Sequence, residues 1–400
     1  MLSQKRKGDE KRMHLCNLNV VLLALLLAAM AMVPIVSAAN DATIHISSAQ
    51  LAEESRMMSV DVTKIPVRDL TINDNVEKVT VKQSLTSEKG DGISTISPGS
   101  IIRHSKDNIT RVFDGSGKQV LYANDDEAAL VPTPSGKMLP ASRIHQVPSG
   151  AFLKTVGTET YVISGGEVLF TVINDRAGDM SDEKTLADTN AVLVNPDFTG
   201  WIEDAFDNNV PQIGYFSAYW VAPSHPPSSE SQEAIFLFNA IQPSAGNAII
   251  QPVLEWNQPS TGLYWTGAAW SLRNGVGYPS SRVRVNDGET VRGQMVWRPS
   301  MNAWLIMFTN GAGQTVSKYT TDISTNRNLA TFVALEGTKI DDNTDVPGDT
   351  TFSSMQFLSG LGGSTVPIVW GQNINPNAPL TQLRVQIISN PSSVKLHTAN

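Results

Sequence analysis

The chain has 400 residues, of which 41% are hydrophobic and 17% are charged, and it includes 29 Gly and 22 Pro. This length is enough for two or three domains, and the composition is typical of a turn-rich globular β protein rather than a disordered or coiled-coil chain. The formal net charge of −8 argues against nucleic acid and anionic membrane as partners.

Residues 1–39 have the pattern of a secretory signal peptide. Basic residues at positions 5–12 precede an apolar run from Val20 to Val33, and small residues follow up to Ala38. The run is short for a membrane span of about 20 residues, so membrane association is expected only if the segment is retained as an anchor. Cleavage near Ala38 also removes Cys16, the only cysteine, which excludes disulfides and cysteine catalysis. We therefore predict a secreted or cell-surface protein.

Residues 40–190 are expected to form a small β-rich unit, either a pro-region or an accessory domain. Short strands are predicted at Val79–Lys82, Gln119–Tyr122, Tyr161–Ser164 and Glu167–Ile173. The last two join at Gly165-Gly166 as a hairpin, and the Pro- and Gly-containing segments 132–136 and 147–150 predict loops. The charged run from Asp175 to Asp188 predicts a linker, for which a processing site and a plain solvated connection are both open.

Two polar motifs are candidate modification or metal sites. Asn108 begins the sequon Asn108-Ile109-Thr110, which predicts N-glycosylation in an exposed loop. The segment from Asp341 to Asp345 places side-chain oxygens at alternate positions, as calcium loops do. Val346 stands where such a loop needs its turn-forming glycine, so a solvated acidic loop is the better interpretation. We expect no metal and no cofactor.

From residue 191 to residue 400, strands recur about every 8 to 12 residues with turn signals between them, which is the pattern of an all-β sandwich. Strands are predicted at Tyr215–Ala222, Ala234–Ala240, Ala248–Trp256, Gly267–Arg273, Ser281–Val285, Thr290–Trp297, Ala303–Thr309, Thr315–Thr320, Ala330–Leu335, Thr351–Phe357 and Leu383–Ile388. Asn286-Asp287-Gly288 and Asn310-Gly311 predict hairpin turns. Pro252 cannot donate to a ladder, so its strand is expected to be bulged or unpaired on one side there.

The predicted strand Ala248–Trp256 carries two polar residues on one face. Gln251 and Glu255 are four residues apart, and side chains alternate between the faces of an extended strand, so both point the same way. A buried amide needs a hydrogen-bond partner, which makes a satisfied core glutamine the plain interpretation. The sequence contains no G-x-S-x-G, H-E-x-x-H or P-loop motif, so serine-triad and zinc chemistry have no support.

The strand AIIQPVLEW resembles the one that bears the catalytic glutamine in the glutamic peptidases of the eqolisin family. Further segments follow the order of that family, namely Gly200-Trp201, Phe216–Pro223, Tyr264 with Trp270, Ser281–Val296, Phe308–Val316 and Ala330–Glu336. The resemblance covers roughly residues 201–363, and it implies a concanavalin-like or jelly-roll antiparallel β-sandwich.

The resemblance implies that Gln251 and Glu336 form a dyad that hydrolyses peptide bonds with an activated water. A carboxyl such as Glu336 can act as general base and then return the proton to the leaving amine. The Gln251 amide can orient the water and stabilise the oxyanion. Activity is expected at low pH, because a carboxyl near its ordinary pKa works best as acid and base there. The residues expected at the substrate groove are Trp201, Glu255, Tyr264 and Phe236.

The chain departs from the family at several positions. Phe236 to Ile241, FLFNAI, replaces a Trp-Val-Gly-Ile-Asp-Gly segment, and Ala269 stands in place of a glutamate. The first hypothesis is a secreted, acid-acting glutamic endopeptidase-like enzyme, a monomer that acts on polypeptides. The second is a non-catalytic β-sandwich binding module for polysaccharide or a surface protein, since a fold does not fix a function. A plain envelope structural protein is the third.

Overall fold

The computed structural model describes residues 47–65, 69–73, 75–86, 96–176, 197–228, 233–244, 246–259, 261–325 and 328–400. All of them fall within the unit His45–Asn400. The predicted signal peptide, its cleavage site and the predicted domain boundary near residue 190 lie outside the described residues. Across the ranges given, no helix has both the length and the apolar character that a membrane crossing requires.

Between residues 47 and 176, the described chain contains one α-helix and nine strands. The helix, α1, spans Ser48–Met58. The strands are β1 (Glu77–Lys78), β2 (Ser100–His104), β3 (Ile109–Phe113), β4 (Gln119–Asn124), β5 (Leu130–Thr133), β6 (Lys137–Pro140), β7 (Ala151–Val156), β8 (Glu159–Ser164) and β9 (Glu167–Asn174). Short 3-10 helices lie at Val62–Lys64, Asp125–Glu127 and Ala141–Arg143.

The described residues from 197 to 400 form fifteen further strands. These are β10 (Phe198–Val210), β11 (Tyr215–Val221), β12 (Ala234–Pro243), β13 (Ala248–Trp256), β14 (Trp265–Arg273), β15 (Val276–Pro279), β16 (Val283–Arg284), β17 (Thr290–Arg298), β18 (Ala303–Thr309), β19 (Thr315–Thr320), β20 (Leu329–Ile340), β21 (Thr350–Leu358), β22 (Gly371–Ile374), β23 (Arg384–Ser389) and β24 (Ser393–His397). Short 3-10 helices lie at Pro299–Met301 and Asn343–Asp345.

The strands form two large sheets that share a hydrophobic core. One has the order β1-β4-β3-β2-β9-β8-β7-β19-β18-β17-β11-β21-β24-β23, and the other has the order β15-β14-β13-β12-β20-β10-β22 with β16 paired to β14. Most pairs are antiparallel, and the parallel pair β7–β19 joins strands β1–β4 and β7–β9 to the sandwich. The predicted all-β sandwich is confirmed. The hairpin of β5 and β6 is a separate two-stranded sheet.

Strand β12 is buried on both faces, which explains its nearly continuous hydrophobic sequence. Ile235, Leu237 and Ile241 belong to the core between the two large sheets. Phe236 and Phe238 face a second core, which also contains side chains of the β2–β9 region. The face of the eight-stranded sheet that carries Phe236 and Phe238, here called the cleft face, is therefore covered by the residues that precede the sandwich in the chain.

The structure confirms the predicted interruption at Pro252. β13 pairs with β14 along its whole length, including Pro252 with Ala269. Toward β12 it pairs at Val253 and again at Ile250, but not at the two residues between them. Pro252 has no N–H to donate, so the ladder opens there.

Helix α1 is attached to the sandwich by a buried ion pair. Glu54 accepts two hydrogen bonds from the Arg298 guanidinium, at 3.0 and 2.8 Å, and a third from the Tyr319 hydroxyl at 3.0 Å. At its N-terminus, the Ser47 side chain accepts from the Gln50 backbone N–H. Paired geometry of this kind compensates the cost of burying the charge of Arg298.

Candidate active site

Gln251 lies on the cleft face of β13 and is fully buried. Its Nε2 donates to the backbone oxygen of Pro134, at the tip of the β5–β6 hairpin. Its Oε1 has no hydrogen-bond partner among the described residues. The interpretation as a satisfied core glutamine therefore holds for the donor of this amide and not for its acceptor.

Glu336 lies on the cleft face of β20 and is also fully buried. Its Oε1 accepts from the Gly136 backbone N–H at 2.8 Å, while Oε2 has no hydrogen-bond partner in the described part of the chain. Burial raises the pKa of Glu336 well above its usual value, and the Gly136 amide, the Trp201 side chain and the Ser135 amide offset part of that rise. The covered position therefore favours the neutral carboxyl over the carboxylate.

The strand register relates the two groups. Glu336 pairs with Trp201 on one side and with Phe236 on the other, and Phe236 pairs with Glu255, so these four residues form one cross-strand row. Gln251 precedes Glu255 by four residues. Two strand spacings and four residues along the strand separate the α-carbons of Gln251 and Glu336 by roughly 16 Å. The sheet brings both side chains to one face without a direct hydrogen bond between them.

The tip of the hairpin occupies the space between Gln251 and Glu336. Thr133 and Lys137 form its last strand pair, and Ser135 N–H donates back to the Thr133 oxygen at 2.7 Å. Gly136 has φ +76°, and a Cβ added there would lie 3.2 Å from Cδ1 of Trp201. The close approach and the positive φ both favour glycine at this position. One tight turn thus presents a carbonyl to Gln251 and an amide to Glu336.

Trp201 and Phe236 form part of the apolar lining around this turn. The half-buried Trp201 ring makes edge contacts with Phe238 and Phe332, at centroid distances of 5.6 and 5.0 Å. Phe236 is fully buried between Glu255 and Glu336 in the cross-strand row. The structure therefore brings both predicted groove residues to the cleft face.

Glu255 is held by three side chains. The Arg282 guanidinium forms a salt bridge with it, with Nε 2.6 Å from Oε2, and the Trp270 indole N–H and the Thr266 hydroxyl also donate to it. These partners neutralise and orient the carboxylate. Glu255 therefore stabilises the floor of the cleft, which is the part of the cleft face around it, by holding Arg282, Trp270 and Thr266 in place. Arg282 was not among the predicted site residues. It lies two strands away from Glu255 in the sheet, so only the tertiary structure shows that it contacts this carboxylate.

Tyr264 lies elsewhere. It packs against the core between the two large sheets, and the Arg284 guanidinium covers its ring at 3.8 Å. The structure does not bring it to Gln251 and Glu336. Ala269 also faces the core between the sheets, whereas Ala268 and Trp270 face the cleft, so the position of the family glutamate does not correspond to a cleft residue here.

The hairpin leaves a cavity on each side of it. A cavity of about 120 Å³ lies beside β6 and is lined by residues that include Lys137, Trp201, Ile249 and Arg273. A smaller one, of about 20 Å³, lies beside β5 and is lined by residues that include Val131, Trp270 and Arg282. The hairpin thus fills the middle of a longer depression in the cleft face.

The other two polar motifs lie outside this cleft. Asn108 is half-buried in the turn between β2 and β3, and its side-chain amide donates to Asp126 at 3.2 Å. Its glycosylation stays a prediction. Asp341, Asp342 and Asp345 lie close together, but Asp345 accepts the backbone N–H groups of the other two at 2.9 and 3.1 Å. Hydrogen bonds from the loop's own backbone therefore account for the close approach of these three carboxylates.

No protein-family model matches the chain, and no curated protein matches it. Among solved structures, scytalido-glutamic peptidase with a peptide-based transition state analog matches over 50% of this chain and 98% of its own, with 17% identity and a TM-score of 0.36. SCP-B, an eqolisin family member in complex with the tripeptide Ala-Ile-His, matches over 50% and 98%, with 18% identity and a TM-score of 0.35. Likenesses of this size do not establish what this chain does.

Proposed function

We propose that this protein is a secreted, acid-acting glutamic endopeptidase-like hydrolase that uses Gln251 and Glu336. The observation that carries the proposal is the binding of a polypeptide backbone by these two residues: Gln251 donates to the carbonyl of Pro134, and Glu336 accepts from the amide of Gly136. A polypeptide substrate would be held by the same two contacts. The signal-like segment 1–39 supports action outside the cell.

Gln251 and Glu336 lie on one face of the sheet, with α-carbons roughly 16 Å apart. Side chains stand roughly perpendicular to a sheet, so binding one water between the two groups requires both long side chains to lean toward each other. In a cleft open to solvent, ionised Glu336 would take a proton from that water. Gln251 would donate to the oxyanion, as it donates to the Pro134 carbonyl here.

A second candidate is a non-catalytic module that holds an extended polypeptide on the cleft face. Two observations favour it. Glu255 is neutralised by Arg282, and Ala240 stands on the cleft face where the family resemblance expects an acid. The cleft would then bind backbone through Gln251 and Glu336 without cleaving it.

The test is cleavage of a denatured protein substrate between pH 3 and pH 7 by the wild type, Glu336→Gln and Gln251→Ala. Matched controls are Glu203→Gln and Gln294→Ala, which alter a buried carboxyl and a buried amide outside the cleft. We expect acid-dependent cleavage that falls by about 100-fold or more in the two cleft variants and persists in both controls. Equal rates in all five proteins, or binding of the substrate without cleavage at any pH, would favour the second candidate.

A further inference from the structure

The hairpin of residues 130–140, formed by β5, β6 and the turn between them, makes hydrogen bonds to the cleft face at its tip and is closed on itself at its base. Its two strands pair with each other and with neither large sheet. Its tip makes the contacts with Gln251 and Glu336. At its base, the Ala141 N–H donates to the Ala129 oxygen at 2.8 Å. Because no ladder joins the hairpin to the sandwich, it can leave the cleft without breaking a large sheet.

A buried polar cluster fixes the chain on either side of the hairpin. Asp125, just before β5, accepts from the Ser142 hydroxyl at 2.7 Å and from Arg143 Nε at 2.8 Å, just after β6. It also accepts from the Thr110 hydroxyl at 2.6 Å. The cluster continues to His104 and His145, whose Nε2 atoms are 2.9 Å apart. Both imidazoles are fully buried.

The hydrogen bonds define the proton positions on both histidines. The Thr110 hydroxyl gives its proton to Asp125, so His104 Nδ1, 2.9 Å from that hydroxyl, must be the donor to it. His104 Nε2 is then an acceptor, and His145 Nε2 carries the proton between the rings. His145 Nδ1 is buried without a partner among the described residues. A proton added to either ring would create an N–H facing another N–H or a buried charge with no acceptor.

We propose that the 130–140 hairpin is an intramolecular inhibitor of the Gln251–Glu336 pair, and that acid releases it by protonating the His104–His145 pair at its base. The proposal rests on the proposed function, and it gives residues 40–190 the role of a pro-region. His145 lies five residues after the end of β6, and its backbone N–H donates to Gly277 of the cleft sheet at 2.8 Å. Loss of the histidine contact therefore loosens the segment that holds the hairpin.

The groups around the two imidazoles favour the neutral form. Arg143 and Arg176 oppose a positive charge on His104, Asp125 partly compensates at His145, and the rings of Phe170 and Tyr278 cover His145. Burial and these arginines lower the pKa of His104 to about 3, and burial lowers the pKa of His145 well below its usual value. A lowered pKa means that the closed form is fully favoured above pH 6.5 and loses stability as pH falls toward 3.

Glu336 acts in the opposite direction. Because the pKa of Glu336 is raised in the closed form, the closed form binds a proton at neutral pH that the open form lacks. At acid pH both forms bind this proton, so Glu336 no longer favours opening. Opening takes up two protons at the histidines and releases one at Glu336. Acid therefore favours the open form on balance, by roughly a hundredfold between pH 7 and pH 4.

Hydrogen–deuterium exchange of residues 130–140 tests release without any need for catalysis. The full chain is measured as Glu336→Gln at pH 7 and pH 4, with correction for the intrinsic exchange rate. Because Glu336 no longer opposes the pH response in this variant, we expect protection of these amides to fall by more than about a hundredfold at pH 4. His145→Gln, which keeps a donor but does not titrate, should remove most of that response. His225→Gln is the matched control, because that imidazole is exposed and stacks on Trp256.

A second pair of variants tests inhibition at neutral pH. Gly136→Val would place a side chain against Trp201 and displace the tip, whereas Gly157→Val alters a glycine of similar φ with nothing within 4 Å. We expect neutral-pH cleavage to rise by about tenfold or more only in Gly136→Val. Unchanged protection at pH 4 would overturn the acid release whatever the cleavage assay gives. Release without cleavage in any variant would overturn the peptidase proposal and leave the histidine latch standing.

Discussion

Removal of Arg282 is expected to destabilise the floor of the cleft, because Glu255 would keep a buried charge without its cationic partner. Glu255 is fully buried, and the Arg282 side chain is 13% exposed, so solvent screens the pair weakly. Loss of one partner of a buried ion pair costs about 3–5 kcal/mol. The Trp270 indole and the Thr266 hydroxyl still donate to the carboxylate in Arg282→Met, which places the expected loss near the lower figure, about 3 kcal/mol.

The double variant separates charge from packing. In Glu255→Gln/Arg282→Met neither charge remains, so we expect the loss of unfolding free energy to shrink to about 1 kcal/mol. Urea unfolding at pH 7 of the wild type, both single variants and the double variant gives the coupling energy. Arg284→Met is the matched control, since this exposed arginine only covers the Tyr264 ring and should cost less than about 1 kcal/mol. A double variant no more stable than Arg282→Met would refute the reasoning.

Two further predictions concern the core and the cleft. In Gly267→Val, the new Cβ would lie 1.9 Å from Cε1 of Phe308 between the sheets, so we expect a loss of about 3 kcal/mol, and an unchanged thermal midpoint would contradict this packing. Glu336→Gln should be more stable than the wild type above about pH 4.5, by more than about 1 kcal/mol at pH 8, because a group with a raised pKa loses its stabilising protonated form as pH rises. Urea unfolding from pH 4 to pH 8 checks this, and parallel curves for the two proteins would exclude a buried neutral carboxyl.

Much of the fold could be predicted from the sequence, because local signals coincide with the strand boundaries. Gly165 and Gly166 both have positive φ between β8 and β9, as the predicted hairpin requires. Gly313 has positive φ in the turn of the β18–β19 hairpin, two residues after the predicted Asn310-Gly311. Gly288 also has positive φ, but the predicted hairpin there is wrong, because β16 pairs with β14 while β17 belongs to the other large sheet. At Pro252 the missing N–H interrupts the ladder to β12, as expected. In each case the conformation follows from the residues of one short segment.

The elements that could not be predicted depend on distant partners. β10 carries Glu203 and Asp204 at buried positions, which hides its strand pattern, and burial raises the pKa of Glu203 to about 9. The segment 132–136 has the residues of a loop, yet Pro132 and Thr133 belong to β5. For Gln251 and Glu336, the alternation of the strands places each on one face. Only the tertiary structure shows that the hairpin tip lies against both.

The attachment of helix α1 constrains the order in which the chain can fold. Glu54 contacts Arg298 and Tyr319 more than 240 residues later in the sequence, and β7 pairs with β19 across 167 residues, from Ala151 to Lys318. Loops of this length close slowly. The amino-terminal segments therefore stay incompletely packed until the later strands have left the ribosome. A shortened chain that begins after residue 60 would leave Arg298 buried with no counter-charge from the helix. Attempts to isolate the sandwich alone should therefore replace Arg298 together with the removed segment.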